Sequence, residues 1–124
     1  MTFNDNNRPI YLQIADKICD DIMLGTLREE QRIPSVRDYA AMMEVSINTS
    51  MRSISYLETS GILQNRRGIG FFVASGAEET IKKMRRETFL KEECEYFFRK
   101  LMTMGFTPLQ LRAMYTQYLT DNSK

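Results

Sequence analysis

A chain of 124 residues is long enough for one domain, or for one domain and a small appendage. Its hydrophobic fraction of 43% and charged fraction of 27% are those of a soluble globular protein; no apolar run approaches the roughly 18 residues that span a bilayer, and no signal pattern opens the chain, so a cytoplasmic protein without a membrane partner is expected. Histidine is absent and the net charge is only +1, so the usual triad base and the commonest metal ligand are missing, and a nucleic-acid partner would have to be met by locally concentrated positive charge.

From Pro9 to Leu24 the apolar residues Tyr11, Ile14, Ala15, Ile18 and Ile22 recur every three or four positions. They mark one face of a first helix, with Asp16, Asp20 and Asp21 on its wet side. Pro9 suits the first turn and Gly25 the position after the end. After the polar stretch TLREEQRIP, Ser35 with Asp38 three residues on reads as a capping box, aspartate replacing the usual glutamate. It opens a second helix whose Val36, Tyr39, Ala40 and Met43 face the core. A short break leads to a third helix, capped by Ser46 and running to about Thr59, ahead of Gly61. GILQN and GFFVA are then two short β-compatible runs joined across Arg66-Arg67-Gly68-Ile69, where glycine allows the positive φ of a hairpin turn.

A helix pair followed at once by a hairpin is the winged helix-turn-helix arrangement, with Phe72 and Val73 anchoring the hairpin and Arg66 and Arg67 at its tip. Beyond Gly76, Ile81, Met84, Leu90, Cys94, Phe97, Phe98, Leu101 and Met104 keep helical spacing as far as Gly105. Thr107-Pro108 opens another helix, with Leu111, Met114, Tyr115 and Tyr118 along one stripe. Two helices cannot hide so much apolar surface between themselves, so they pack against another copy or back on the first helix. The expected fold is mostly α with a small β-hairpin: a winged helix-turn-helix over residues 1–76 and a two-helix region over 77–124.

Charge is arranged locally: from Ser46 to Phe71 the charged residues are Arg52, Arg66 and Arg67 against Glu58 alone. Asn48 is a poor interior helix residue, but its amide can pair bidentately with adenine in the major groove. Ser46 and Thr49 share that first turn, and capping alone would account for Ser46. Ile47 and Met51 either touch thymine methyl groups or are tolerated surface residues. Arg37 would gain little from an exposed pair with Asp38 or Glu44, which favours a phosphate or base contact. Arg52 shares the face of Asn48 and points to phosphate. Arg66 and Arg67 either keep the hairpin soluble or reach DNA, and Gly68 lets the backbone approach the sugar-phosphate chain. Lys82, Lys83, Arg85 and Arg86 read as a solvated helix face, with a flanking phosphate contact as the alternative. Cys19 and Cys94 read as small buried thiols with no zinc spacing, so no metal and no cofactor are expected. The stripe from Leu90 to Met104 reads as core and dimer interface, since so short a tail leaves little room for a small-molecule cavity.

In chain order, Pro9-Ile10-Tyr11 with Gln13-Ile14, Gly25, Ile33-Pro34-Ser35 with Arg37, Val45-Ser46 with Asn48-Thr49, Leu57-Glu58, Gly61-Ile62 and Arg66-Arg67-Gly68-Ile69-Gly70 with Phe72-Val73 form one pattern. Spanning over half the chain, it resembles the DNA-binding domain of GntR-type bacterial transcription regulators, and the short tail is similar to that of the YtrA subgroup. The resemblance implies a winged helix-turn-helix and a homodimer on a palindromic double-stranded DNA operator. It also implies DNA contacts from Arg37, the start of the third helix and the wing. The sequence departs from the family at Ile47 and Met51, where many members carry arginine, and so lacks the arginine–guanine pair expected there. The recognition set is then Arg37, Ser46, Asn48, Thr49 and Arg52, with Arg66, Arg67 and Gly68 from the wing. Dimerisation falls to Leu90, Cys94, Phe97, Phe98, Leu101, Met114, Tyr115 and Tyr118.

The expected function is a dimeric, sequence-specific regulator that represses by steric occlusion, its half-sites one or two helical turns apart. Three or four phosphates per protomer, met by Arg37, Arg52, Arg66 and Arg67, would give a salt slope of about −5 to −7. The alternative is a winged-helix protein-interaction module without a DNA role, for which the near-neutral charge and the apolar Ile47 and Met51 speak. A carboxylate-based enzyme would have only Asp16, Asp20 and Asp21 to offer, and any small-molecule effector is left open.

Overall fold

The computed structural model describes residues 8–123. The chain forms α1 (Ile10–Leu24), α2 (Val36–Met43), α3 (Ile47–Thr59), β1 (Leu63–Arg66), β2 (Gly70–Val73) and α4 (Ala77–Thr88). A π-helical turn (Phe89–Cys94), α5 (Glu95–Met104) and α6 (Pro108–Asp121) follow. It is a mostly helical chain with one antiparallel hairpin, divided into a first unit that ends at Met84 and a second that begins at Arg85.

In the first unit the stripe of α1 is buried at Ile14, Ala15, Ile18, Cys19 and Ile22, and Gly25 closes the helix in the left-handed conformation at φ 86°. α2 begins on the expected capping box: the Asp38 N–H donates to the Ser35 hydroxyl at 3.1 Å, and the Ser35 N–H donates back to the Asp38 carboxylate at 3.0 Å. It ends at Glu44, left-handed at φ 56°, where the Val45 N–H returns to the Ala40 carbonyl and turns the chain toward α3. Both α1 and α2 pack on α3, whose buried face is Ser50, Ser53, Ile54 and Leu57. The core is completed by Tyr39, Ile62, Leu63 and Val73, and by Ala77 and Ile81 of α4. Those last two residues belong to the core of the first unit.

The hairpin pairs Leu63 with Val73 through to Arg66 with Gly70. Because strand side chains alternate, Phe71 and Val73 point to the core and Phe72 to the other face. The expected anchor pair of Phe72 and Val73 is therefore corrected to Phe71 and Val73. The far edge of β2 is held by the segment before α2. The Glu30 N–H donates to the Val73 carbonyl, Val73 to Gln31 and Ile33 to Phe71, at 2.8–2.9 Å, with Arg32 bridged to Phe72.

In the second unit, α5 ends at Gly105 (φ 80°), and α6 starts on a capping box of Thr107 and Gln110 with Pro108 at its first position. The long apolar stripe is not one regular helix: a π turn interrupts it over Phe89–Cys94. Among the described residues of this unit no side chain is fully buried, and Cys94, expected to be a buried thiol, is only half-buried.

Candidate nucleic-acid interface

The third helix is presented by two buried hydroxyls. Ser50 Oγ donates to the Val36 carbonyl at 2.8 Å, and Ser53 Oγ donates to the Tyr11 carbonyl at 2.7 Å. These bonds tie α3 to the start of α2 and the first turn of α1, so the orientation of its outer face is fixed by directional contacts as well as by packing. Neither serine stood out in the sequence, where both read as ordinary polar residues of an amphipathic helix.

That outer face carries Ile47, Asn48, Met51 and Arg52, all exposed. Ser46 caps the helix: it accepts the Thr49 N–H at 3.1 Å, and its hydroxyl donates to Thr49 Oγ1 at 3.0 Å. The Ser46 hydroxyl is thus engaged on both sides, and the half-buried Thr49 hydroxyl accepts from it. The Asn48 amide makes no hydrogen bond among the described residues and is exposed beside the Ile47–Met51 row. Arg52 leans away from the helix start, its guanidinium 4.0 Å over the Tyr11 ring, which meets Tyr56 edge-on at 6.2 Å.

The wing turns at Arg66-Arg67-Gly68-Ile69, where the Ile69 N–H closes on the Arg66 carbonyl at 2.9 Å and Gly68 takes φ 79°. Positive φ at the third position is what this turn demands, so glycine is there for the backbone. The two arginines differ. Arg66 is paired with Glu30 and stacked 4.0 Å over the Phe72 ring. Arg67 is exposed at the tip and makes no ion pair or hydrogen bond among the described residues. Arg37, exposed on α2, is equally unpaired, and the expected competition from Asp38 is absent because that carboxylate serves the cap. The Ser35 N–H and hydroxyl hold the Asp38 carboxyl below the ordinary carboxylate range, and the nearby Arg32 adds to this.

Arg32 is a cation that sequence reasoning passed over. Its guanidinium lies against Gly70, where an added Cβ would come within 2.8 Å of Nε, and Gly70 itself has φ 144°. Gly70 therefore leaves room for the side chain of Arg32, from the segment before α2, to lie against the wing beside its turn. The IPS motif and the spacing of Arg32 from Gly70 carried no local signal of this contact.

In the second unit Leu90, Phe97, Phe98, Met114, Tyr115 and Tyr118 are exposed, while Cys94 and Leu101 are half-buried. Among the described residues no group of three metal-binding side chains occurs, and no helix is long and apolar enough to cross a membrane.

Known proteins share this arrangement. Residues 10–73, more than half the chain, match the family described as bacterial regulatory proteins, gntR family. YhcF of Bacillus subtilis (strain 168), an HTH-type transcriptional regulator, is 36% identical over 102 residues, covering 82% of this chain and 83% of its own. The HTH-type transcriptional repressor YtrA of the same organism is 28% identical over 88 residues, covering 71% and 67%. A crystal structure of a GntR-family transcriptional regulator from Bacteroides thetaiotaomicron matches with a TM-score of 0.81 at 51% identity, over 93% of this chain and 100% of that one. The DNA-binding domain of AraR, solved in complex with operator ORX1, matches with a TM-score of 0.52 at 31% identity, over 54% of this chain and 81% of its own. Matched span, fold and relatives agree: the chain belongs to the GntR family of bacterial regulatory proteins and carries that family's winged-helix DNA-binding domain.

Proposed function

We propose that the protein is a homodimeric, sequence-specific transcription regulator of the YtrA-like subgroup that represses by occupying a palindromic operator. The observation that carries this is the outer face of α3. A capped helix, locked by Ser50 and Ser53, holds out an amide at Asn48 that no described residue uses. Asn48 is the adenine reader, and Ser46 and Thr49 fix the helix start from which it projects. Arg67 and Arg37 meet phosphates, with Gly68 allowing close backbone approach. Arg52 and Arg66 reach phosphate only by leaving Tyr11 and Glu30. YtrA is a repressor by name, and AraR binds its operator through the same domain, which supports the DNA role and the sign of regulation.

The apolar side chains of the π turn, α5 and α6 support the dimer, through Leu90, Cys94, Phe97, Phe98, Leu101, Met114, Tyr115 and Tyr118. So large an exposed apolar set on a soluble regulator marks an interaction surface, and a second copy presents the matching one. The protein acts in the cytoplasm, where its operator is, as a non-enzyme without metal or cofactor; the tail is its dimer arm rather than an effector domain.

A competing reading, a winged-helix module that binds protein instead of DNA, draws on the exposed Ile47 and Met51. A gel shift of the purified protein on the DNA upstream of its own gene separates the two. A discrete complex that survives non-specific competitor DNA is expected; retardation lost equally to any competitor would favour the protein-binding module.

A further inference from the structure

The outer face of α3 specifies more than a DNA role. Ile47 and Met51 lie one turn apart, together on one side of Asn48, 46% and 39% exposed, and neither takes part in the core. Burial therefore does not explain them. The same face offers no cation for a base edge, because the Arg52 guanidinium rests over Tyr11. Its hydroxyls are Ser46, engaged in the cap, and the half-buried Thr49, which accepts from Ser46; a hydroxyl suits either base pair and discriminates little. What remains is one amide and two aliphatic chains.

In the major groove each base pair shows its own pattern, and these groups match only part of it. An amide pairs with the N6 and N7 edge of adenine. Guanine is best met by a forked cation, which this face lacks. Thymine shows a methyl group, the one apolar feature of the groove and the natural partner for Ile47 and Met51. We propose that α3 reads an A·T core in each half-site, with Asn48 on adenine and Ile47 and Met51 against the 5-methyl groups of flanking thymines. Guanine preference, where it occurs, comes from outside α3, through Arg37, Arg32 or the wing. This rests on the DNA-binding reading above and names the bases that reading leaves open.

The test is selection of bound duplexes from a random pool with the intact protein, then replacement of each thymine in the selected site by deoxyuridine. That change removes one methyl group and leaves every hydrogen-bonding edge and phosphate in place. The positions whose base preference relaxes in Asn48→Ala locate α3 on the site. Flanking these, deoxyuridine is expected to weaken binding about fourfold per methyl, the value of burying one such group. The penalty at a given thymine should vanish in Ile47→Ala or Met51→Ala, both surface changes that leave the core intact. A selected half-site with G·C pairs under α3, or thymines that tolerate deoxyuridine throughout, overturns the inference while leaving a sequence-specific regulator standing. Failure to enrich any duplex removes the DNA role and this inference together.

Discussion

The two wing arginines are adjacent in sequence but not equivalent in structure, and the salt dependence of DNA binding is expected to separate them. Each phosphate neutralised on B-DNA contributes about −0.9 to the slope of log K against log salt. A dimer presents every side chain twice, so loss of one phosphate contact per protomer flattens the slope by about 1.8. Arg67 is exposed and unpaired among the described residues, so Arg67→Ala should show that full change. Arg66 is already compensated by Glu30 and stacked on Phe72, so Arg66→Ala should show less than half of it. Glu30→Gln should act in the opposite sense. It frees a second cation at the wing and steepens the slope by up to about 1.8. The fold should barely notice, because the pair is 37% and 53% exposed, and such pairs contribute about 0–1 kcal/mol. Fluorescence anisotropy on one labelled operator across a KCl series measures all three. Equal flattening by Arg66→Ala and Arg67→Ala, with no response to Glu30→Gln, would refute the division of labour.

Three further outcomes follow from the same geometry. Asn48→Ala should cost about 1–3 kcal/mol of operator affinity and relax one base position per half-site, read by competition among single-base operator variants. Ser53→Ala removes a buried hydrogen bond between α3 and α1, while the Tyr11 carbonyl keeps its helical donor, so urea unfolding should report a loss of about 0.5–1.5 kcal/mol; an unchanged midpoint would contradict the locking role. Tyr39 is buried, and the cost of burying its phenolate, with Asp21 close by, raises its pKa from 10.0 to about 12. The folded state therefore holds this proton longer than the unfolded chain does. Its contribution is complete below pH 10 and declines by about 2–3 kcal/mol as pH rises from 10 toward 12, a decline that Tyr39→Phe should remove from a series of unfolding curves.

Much of the first unit was legible because its signals are local. The stripe of α1, the Ser35–Asp38 box, the Ser46 cap and the glycines around Arg67 each declare themselves within a few residues. What escaped depends on contacts between distant positions. Glu30 and Arg66 are 36 residues apart, and Ser53 finds its acceptor 42 residues away at Tyr11. Arg32 matters only because Gly70 makes room for it. The assignment of Phe72 to the core failed on parity: three consecutive apolar residues do not say which two point inward until the register with β1 is known. The π turn was hidden because one altered helical turn barely disturbs apolar spacing. At the first turn of α3 the Ser46 cap is local, but only the structure shows that Ser46 and Thr49 engage one another while the Asn48 amide is left open among the described residues.

The central claim is that two copies of α3 and the wing are laid on a symmetric operator. Footprinting of the DNA upstream of the gene with purified protein tests it most directly. The expected result is a protected inverted repeat with half-site centres about one or two helical turns apart, roughly 10 or 21 base pairs, which disappears with Asn48→Ala at the same protein concentration. Protection of a single unrepeated site, or protection that Asn48→Ala leaves unchanged, would contradict it.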